Sequence, residues 1–289
     1  MNKTLIGKDE YLFLNNDTSK ELEVHCNNLN LVCDKTLSKY TFKNYLLIIY
    51  PDKSIYYKQY LPDNFIAKYR PAVEIYLDKL QNKVLDTYDF LQHESDIFYK
   101  TDTHINLKGN YMVYLNFVEK INNLFNLSIN PKQINILSKN CILNTLPAAI
   151  GDLTWVSNLG NQKLNNINDT YYYTNDIINF YNVYKIKDNK DIRFLDYNLI
   201  DKTLELDNKN EHVHWLIISN YIIYKKNNNE NFSKIKVLIF YDSFLLNIIP
   251  LYLEMFYEIY LIKTPYNNNF INKIIPDYVF EFRVERFLN

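Results

Sequence analysis

Ser243 stands behind an unbroken apolar run, Val237-Leu238-Ile239-Phe240-Tyr241, and one acid, Asp242. Such a run reads as a buried parallel strand, and open α/β sheets hold ligands and nucleophiles at the carboxyl ends of their strands. A turn at that edge leaves backbone N–H groups and the next helix N-terminus free to stabilise an oxyanion, which makes Ser243 a candidate nucleophile. The same dipeptide equally suits an ordinary strand-to-helix turn with capping duties. Asp102-Thr103-His104 is the second candidate. Residues two apart on an extended segment face one side, so Asp-x-His offers a carboxylate to one ring nitrogen, fixing the tautomer and supporting the imidazolium. Its plain alternative is a solvated polar loop, or a histidine capping the helix beyond Gly109. His212-Val213-His214 could turn two imidazoles toward zinc, but a zinc site wants three or four ligands and no third is evident. Strand polarity is the simpler reading there, and no metal is expected. His25 and His93 lack a sequence partner and are expected at the surface.

These candidates need elements to position them. Tyr11-Leu12-Phe13-Leu14 reads as a short strand after a turn at Gly7-Lys8-Asp9, and Asp17-Thr18-Ser19 as the cap of a helix running through Leu22. The apolar run Tyr45 to Tyr50, stopped by Pro51-Asp52, suits a second buried parallel strand. Pro71 opens an amphipathic helix with Val73, Tyr76, Leu77 and Leu80 on one face. Ile97-Phe98-Tyr99 reads as a strand leading into the Asp-x-His segment, followed past Gly109 by a helix from Tyr111 to Leu124. Near the end come a strand at 236–241, a sharp turn at Asp242-Ser243-Phe244, a helix from Pro250 to Tyr257, and strands at 258–263 and 278–282. Strand–turn–helix succession of this kind implies right-handed crossovers and a mostly parallel, doubly wound sheet. Residues 126–234 read as aromatic-rich strands (Asp169 to Tyr184, Trp215 to Tyr224) and polar turns, an elaboration between two halves of one sheet within a single domain, 1–289.

Composition narrows the function. The 32 basic and 33 acidic side chains give a near-neutral chain, which argues against a nucleic-acid-coating protein. At 47% hydrophobic and 22% charged, the chain is of the globular class with ample core. Cys26, Cys33 and Cys141 have no metal-like spacing and are expected as reduced, partly buried thiols. The start, Met1 to Asp9, has no apolar core, so no signal peptide is expected. The apolar region from Val237 to Ile262 is broken by Asp242, Asn247, Pro250, Glu254 and Glu258, so no bilayer span is expected either.

Six blocks, in order along nearly the whole chain, resemble one family. They are Gly7 to Leu14; Pro51-Asp52-Lys53 with Tyr57 and Tyr60-Leu61-Pro62; Tyr99 to Asn106 with Gly109; Gly151-Asp152-Leu153; Asp242-Ser243-Phe244; and Pro276-Asp277-Tyr278-Val279 through Glu285-Arg286-Phe287-Leu288. Together they look like the AlgX/AlgJ-like sugar O-acetyltransferases, relatives of the SGNH hydrolases in which the Asp-His pair precedes the serine. Two positions depart from the pattern. Ile105 replaces a usual Trp, which is expected to alter an acceptor-sugar contact. Tyr241 stands where Gly is frequent and leaves less room beside the serine.

The resemblance implies a three-layer α/β/α SGNH-hydrolase-like domain with Ser243, His104 and Asp102 as a catalytic triad. His104 would take the Ser243 proton, Ser243 would attack an acyl carbonyl, and Asp102 would orient His104. The implied activity is O-acyl transfer, acetyl in the family, to a glycan or polysaccharide precursor, with Tyr residues and Trp155 or Trp215 as sugar-stacking platforms. No bound cofactor is implied beyond an acyl donor: acetyl-CoA if the chain works in the cytoplasm, or a partner membrane protein that delivers the acyl group. A complete chain without a leader would be cytoplasmic; one whose leader was removed would act outside. Glycan ester hydrolysis with the same triad, and non-catalytic glycan binding on the same fold, are the alternatives.

Overall fold

The computed structural model describes residues 3–142, 152–155, 167–174, 192–196, 221–227 and 234–288. The chain begins with an antiparallel hairpin, β1 (Thr4–Ile6) and β2 (Leu12–Leu14). Next in sequence are β3 (Tyr45–Tyr50), β4 (Val84–Asp86), a hairpin of β5 (Leu137–Ile142) and β6 (Asn168–Tyr173), then β7 (Ile192–Asp196), β8 (Tyr221–Lys226), β9 (Lys236–Tyr241), β10 (Glu258–Ile262) and β11 (Tyr278–Val284). One seven-stranded sheet has the order β4-β3-β11-β9-β10-β8-β7. Its first five strands run parallel; β8 and β7 extend it antiparallel at one side.

β3 is buried at all six positions, because a central parallel strand is covered on both faces. The helices are α1 (Glu21–Asn27), α2 (Lys53–Tyr56), α3 (Pro71–Leu80), α4 (Tyr88–Leu91), α5 (Leu107–Phe125), α6 (Asp152–Trp155), α7 (Ile249–Leu253) and α8 (Asn268–Ile274); all but α6, whose Leu153 packs with Leu12 and Ile167, help to cover the sheet. On one face Leu46, Ile48, Tyr50, Ile239, Tyr241, Phe280 and Phe282 pack with Val113, Phe117 and Ile121 of α5. On the other, Tyr45, Leu47, Ile49, Leu238, Phe240 and Val279 pack with Val73 and Tyr76 of α3 and Ile271 and Ile274 of α8. The result is a three-layer α/β/α domain fold with a mostly parallel sheet.

Several local expectations shift. Ile97-Phe98-Tyr99 is not a strand; among the described residues its one pairing is the bridge from Phe98 to Ile105, which closes a loop. Asp17 does not cap α1. Its carboxylate takes the Ser19 N–H at 2.9 Å in a local turn, and the helix begins after Lys20 in a left-handed conformation. On α3, Val73 and Tyr76 are buried but Leu77 is 40% exposed, so the apolar stripe is narrower than the spacing suggests. The helix after Pro250 stops at Leu253. In the middle segment, β7 and β8 join the main sheet, while β5 and β6 stand apart from it. No helix among the described residues is long and apolar enough to cross a membrane.

Candidate active site

Five parallel strands deliver their carboxyl ends to one edge, where the chain leaves as Asp52, Thr87, Asp242-Ser243, Lys263 and Glu285-Arg286. Consecutive strands diverge there: β3 leads outward to β4, β9 outward the other way to β10, with β11 between. That is where open α/β sheets form a crevice. Ser243 opens a 3-10 turn, Ser243–Ile248, that runs into α7. Asp242 caps it. One carboxylate oxygen accepts the Phe244 N–H at 2.9 Å, the other accepts the Val284 N–H at 2.7 Å, and its own N–H donates to the Phe282 carbonyl at 3.2 Å. Capping and presentation of Ser243 are therefore compatible properties of one turn. The Phe244 N–H is occupied by this cap.

Asp102 and His104 come together in a turn, not along an extended segment. A single Asp102 oxygen accepts the His104 backbone N–H at 2.8 Å and faces its ring Nδ1 at 2.6 Å, the local closure that short acidic side chains favour. The loop is held from all sides. Lys53, buried at the start of α2, donates from Nζ to the carbonyls of Lys100 at 2.8 Å and Asp102 at 3.0 Å. Asp169 on β6 accepts the Thr101 N–H and hydroxyl, and Asp152 at the start of α6 accepts both from Thr103. The Asp152 N–H in turn donates to Asp102 at 3.1 Å. Asn106 caps α5 by accepting the Gly109 N–H at 3.0 Å. A Cβ at Gly109 would lie 2.6 Å from Ile105 and 2.9 Å from Ile97, so only glycine lets α5 seat on this loop.

The loop and the turn meet at His104, whose Nε2 lies 2.8 Å from Ser243 Oγ. The structure thus brings together all three residues proposed from the sequence, as a continuous chain from a buried carboxylate through a part-exposed imidazole to a hydroxyl. Burial opposes a charge on His104, but the Asp102 carboxylate outweighs it and raises the imidazole above its ordinary range. Burial likewise opposes the Asp102 charge, and His104 overcomes this and holds the carboxyl far below the usual range. An anionic Asp102 and a basic His104 facing a hydroxyl can draw off its proton. Phe244 packs against the histidine ring at 5.1 Å, Tyr50 at 5.4 Å and the Arg286 guanidinium at 5.3 Å. Asn110 of α5 spends its amide donors on the Phe244 carbonyl and Asn247, and Asn247 donates to the Ile105 carbonyl, which stitches turn and loop together.

Other expectations need correcting. His25 is not a surface residue. It is 1% exposed, within 2.9 Å of Asp52, in a buried network with Glu285, Arg286, Arg70, Asp86 and Glu21. His93 is exposed. Ile105 is fully buried beneath α5, so it contacts the loop's own support and not a ligand at the surface. Cys26 and Cys33 are free, half-buried and exposed respectively. His212, His214, Trp215 and Gly151 lie outside the described residues, as does the side chain of Trp155. Among the described residues, two clusters have a metal-like donor set: His25, Asp52 and Glu285, and Asp102, His104 and Asp152. In the first, arginines already occupy the carboxylates: Arg286 pairs with Asp52, and Arg70 reaches Glu285 at 2.6 Å. The second includes the loop just described. Sequence reading did not nominate Asp152, Asp169 or Lys53 for this site; Lys53 and Asp152 stood in the Pro-Asp-Lys and Gly-Asp-Leu blocks, and Asp169 carried no signal.

No family model and no curated protein sequence matches this chain. Solved structures do match its fold over its full length. PatB1 from Bacillus cereus aligns with a TM-score of 0.60 at 17% identity, over 98% of that chain. A DHHW family protein from Eubacterium siraeum aligns at 0.58 and 15% identity over 92% of its chain. The O-acetyltransferase domain of Pseudomonas putida AlgJ aligns at 0.52 and 14% over 92%. At such identities the likeness is one of fold.

Proposed function

We propose that this protein is an O-acyltransferase that passes an acyl group, acetyl in the simplest case, from a donor ester or thioester to a glycan hydroxyl by way of an acyl-Ser243 intermediate. The observation that carries the reading is the unbroken Asp102–His104–Ser243 chain, at 2.6 and 2.8 Å, on the carboxyl edge of the sheet. Ser243 Oγ attacks the acyl carbonyl as His104 Nε2 takes its proton, and the donor's alcohol or thiol leaves with that proton. An acceptor hydroxyl then gives its proton to His104 and attacks the acyl-serine, freeing Ser243. Asp102 keeps Nδ1 protonated and stabilises the imidazolium each time it forms. The likeness of fold to an O-acetyltransferase domain supports acyl transfer, and glycan as acceptor follows from the family resemblance. Hydrolysis is the second reading, favoured by one observation: the His104 side chain is 28% exposed, so water reaches the base.

The test is to supply an acyl donor with and without candidate oligosaccharides and follow products by mass spectrometry. A transferase adds one acyl mass to the glycan, and donor turnover rises with glycan concentration, because the acceptor must displace water from the acyl-serine. Equal turnover without glycan, together with deacylation of pre-acylated glycan, would select the hydrolase instead. No turnover of any activated ester by folded protein would remove the enzymatic reading.

A further inference from the structure

On the sheet face opposite α5, Arg283 of β11 projects beside Glu281 into the layer that holds Tyr45 and Tyr76. The Arg283 residue is only 9% exposed, and its Nε stands 4.0 Å from Glu281, beyond hydrogen-bond reach. Glu281 is already engaged: it accepts the Tyr45 hydroxyl at 2.7 Å and the Tyr266 N–H at 2.9 Å. Burial raises the Glu281 carboxyl above its ordinary value, while the Arg283 guanidinium pulls it back down. A guanidinium has five donors in a flat fork, and no protein acceptor among the described residues takes those of Arg283.

Arg283 lines a cavity of about 220 Å³ together with Glu281, Lys39, Tyr40, Tyr76 and Phe287, among others, and both Glu281 oxygens in that wall already accept the hydrogen bonds from Tyr45 and Tyr266. Its walls are of two kinds. Arg283 lies over the Phe287 ring at 5.8 Å and Lys39 Nζ over the Tyr40 ring at 5.0 Å, so two cations stand against aromatic surfaces. The Tyr40 and Tyr76 hydroxyls bond each other at 3.1 Å, which leaves their rings as apolar wall. The volume is below the roughly 300–1,000 Å³ of pockets for drug-sized ligands, so an occupant must be small.

We propose that this cavity is a binding site for a small organic carboxylate with a flat apolar body, its carboxylate on the Arg283 fork beside Lys39 and its body between Tyr40, Tyr76 and Phe287. A fork matches a planar carboxylate in two parallel bonds, and a neutral or cationic ligand would leave it unmet. The site is separate from Ser243, which serves the opposite layer, and it stands whether or not the acyl-transfer reading does.

The test is a ligand-observed NMR titration of the whole chain with sodium benzoate, benzamidine and inorganic phosphate as probes. Benzoate should bind saturably, benzamidine should not, and phosphate should bind more weakly than benzoate. Arg283→Gln should weaken benzoate about tenfold, the loss of one charge-assisted pair. Lys39→Gln, on a half-buried loop position, should weaken it less and serves where the buried substitution prevents folding. Ser243→Ala should leave benzoate binding unchanged. The proposal is overturned if benzoate shows no saturable binding, if benzamidine or phosphate binds as well, if both pocket variants bind like the parent, or if Ser243→Ala abolishes binding.

Discussion

Two histidines at one sheet edge each face an aspartate, and they do opposite things. His104 Nδ1 lies 2.6 Å from Asp102, and His25 Nε2 lies 2.9 Å from Asp52. What differs is the atom at the second ring nitrogen. His25 Nδ1 meets the Tyr69 carbonyl at 2.8 Å, which can only accept, so both nitrogens must carry protons and the ring is a fixed imidazolium. Burial opposes that charge, but Glu285 and then Asp52 outweigh it and push His25 up to about 9. His104 Nε2 meets the Ser243 hydroxyl at 2.8 Å, which can donate, so the ring can stay neutral and act as a base. The carboxylate holds a proton on the nitrogen it faces in both; the third partner decides whether the other nitrogen must carry one as well. Surroundings follow suit. His25 is closed in by arginines and acids, whereas His104 keeps one side open.

The largest expected effect is at the open histidine's partner. Ser243→Ala should lower hydrolysis of an activated ester such as p-nitrophenyl acetate by roughly four to six orders of magnitude, with the circular dichroism spectrum unchanged. Activity surviving in that variant would take the nucleophile away from Ser243 and end the contrast.

The closed histidine should report through stability instead. His25→Gln leaves Asp52 and Glu285 short of a cation, and breaking a buried pair of this kind costs about 3–5 kcal/mol in urea unfolding. The folded fraction should retain its esterase rate. A variant as stable as the parent but inactive would reverse the roles assigned to the two rings.

The pH dependence of stability sharpens the same point. His25 is raised from 6.5 to about 9, so its contribution is complete below about 6.5 and is lost as pH rises through 9, amounting to about 3 kcal/mol at most. Lys53 runs the other way. Burial lowers its ammonium to about 8, so its penalty is full below about 8 and is relieved as pH climbs toward 10.5. Urea midpoints across pH 6–10 should therefore fall from about 6.5, level between about 8 and 9 and rise toward 10 in the parent. The fall should vanish in His25→Gln, and the rise in Lys53→Met. Parallel curves for all three proteins would mean that neither group titrates as described.

The smallest effect concerns Asp152, whose carboxylate lies 3.6 Å from His104 Nδ1 and helps raise the imidazole. Asp152→Asn should retain most activity and move the acidic limb of the pH–rate profile to lower pH, since a His104 with one fewer acid beside it loses its proton sooner. A shift to higher pH would contradict the sign of that interaction.

Much of this was legible in the sequence. The continuous apolar runs at 45–50 and 236–241 are strands because a central parallel strand must be apolar on both faces. Ser243, His104 and Asp102 could be named because each follows a strong local signal and a block of the family pattern. Less was legible where the signal is short or distant. Val84-Leu85-Asp86 is three residues of strand, too brief for any period to show, and the turn around Asp102 looks in sequence like an extended stretch.

Local pattern thus determined the elements, the edge at which the chemistry gathers and the residue types present there. Only the tertiary structure decided which groups meet. Ser243 reaches His104 across 139 positions and Arg286 reaches Asp52 across 234, because the order β4-β3-β11-β9-β10 sets the last strand between two earlier ones. His25 shows the consequence. Its neighbours in sequence are unremarkable, and it becomes a buried cation because folding brings Asp52, Glu285 and a backbone carbonyl to a ring that water can no longer reach. A side chain's type is local information, whereas its proton balance is set by whichever donors and acceptors long-range packing leaves beside it.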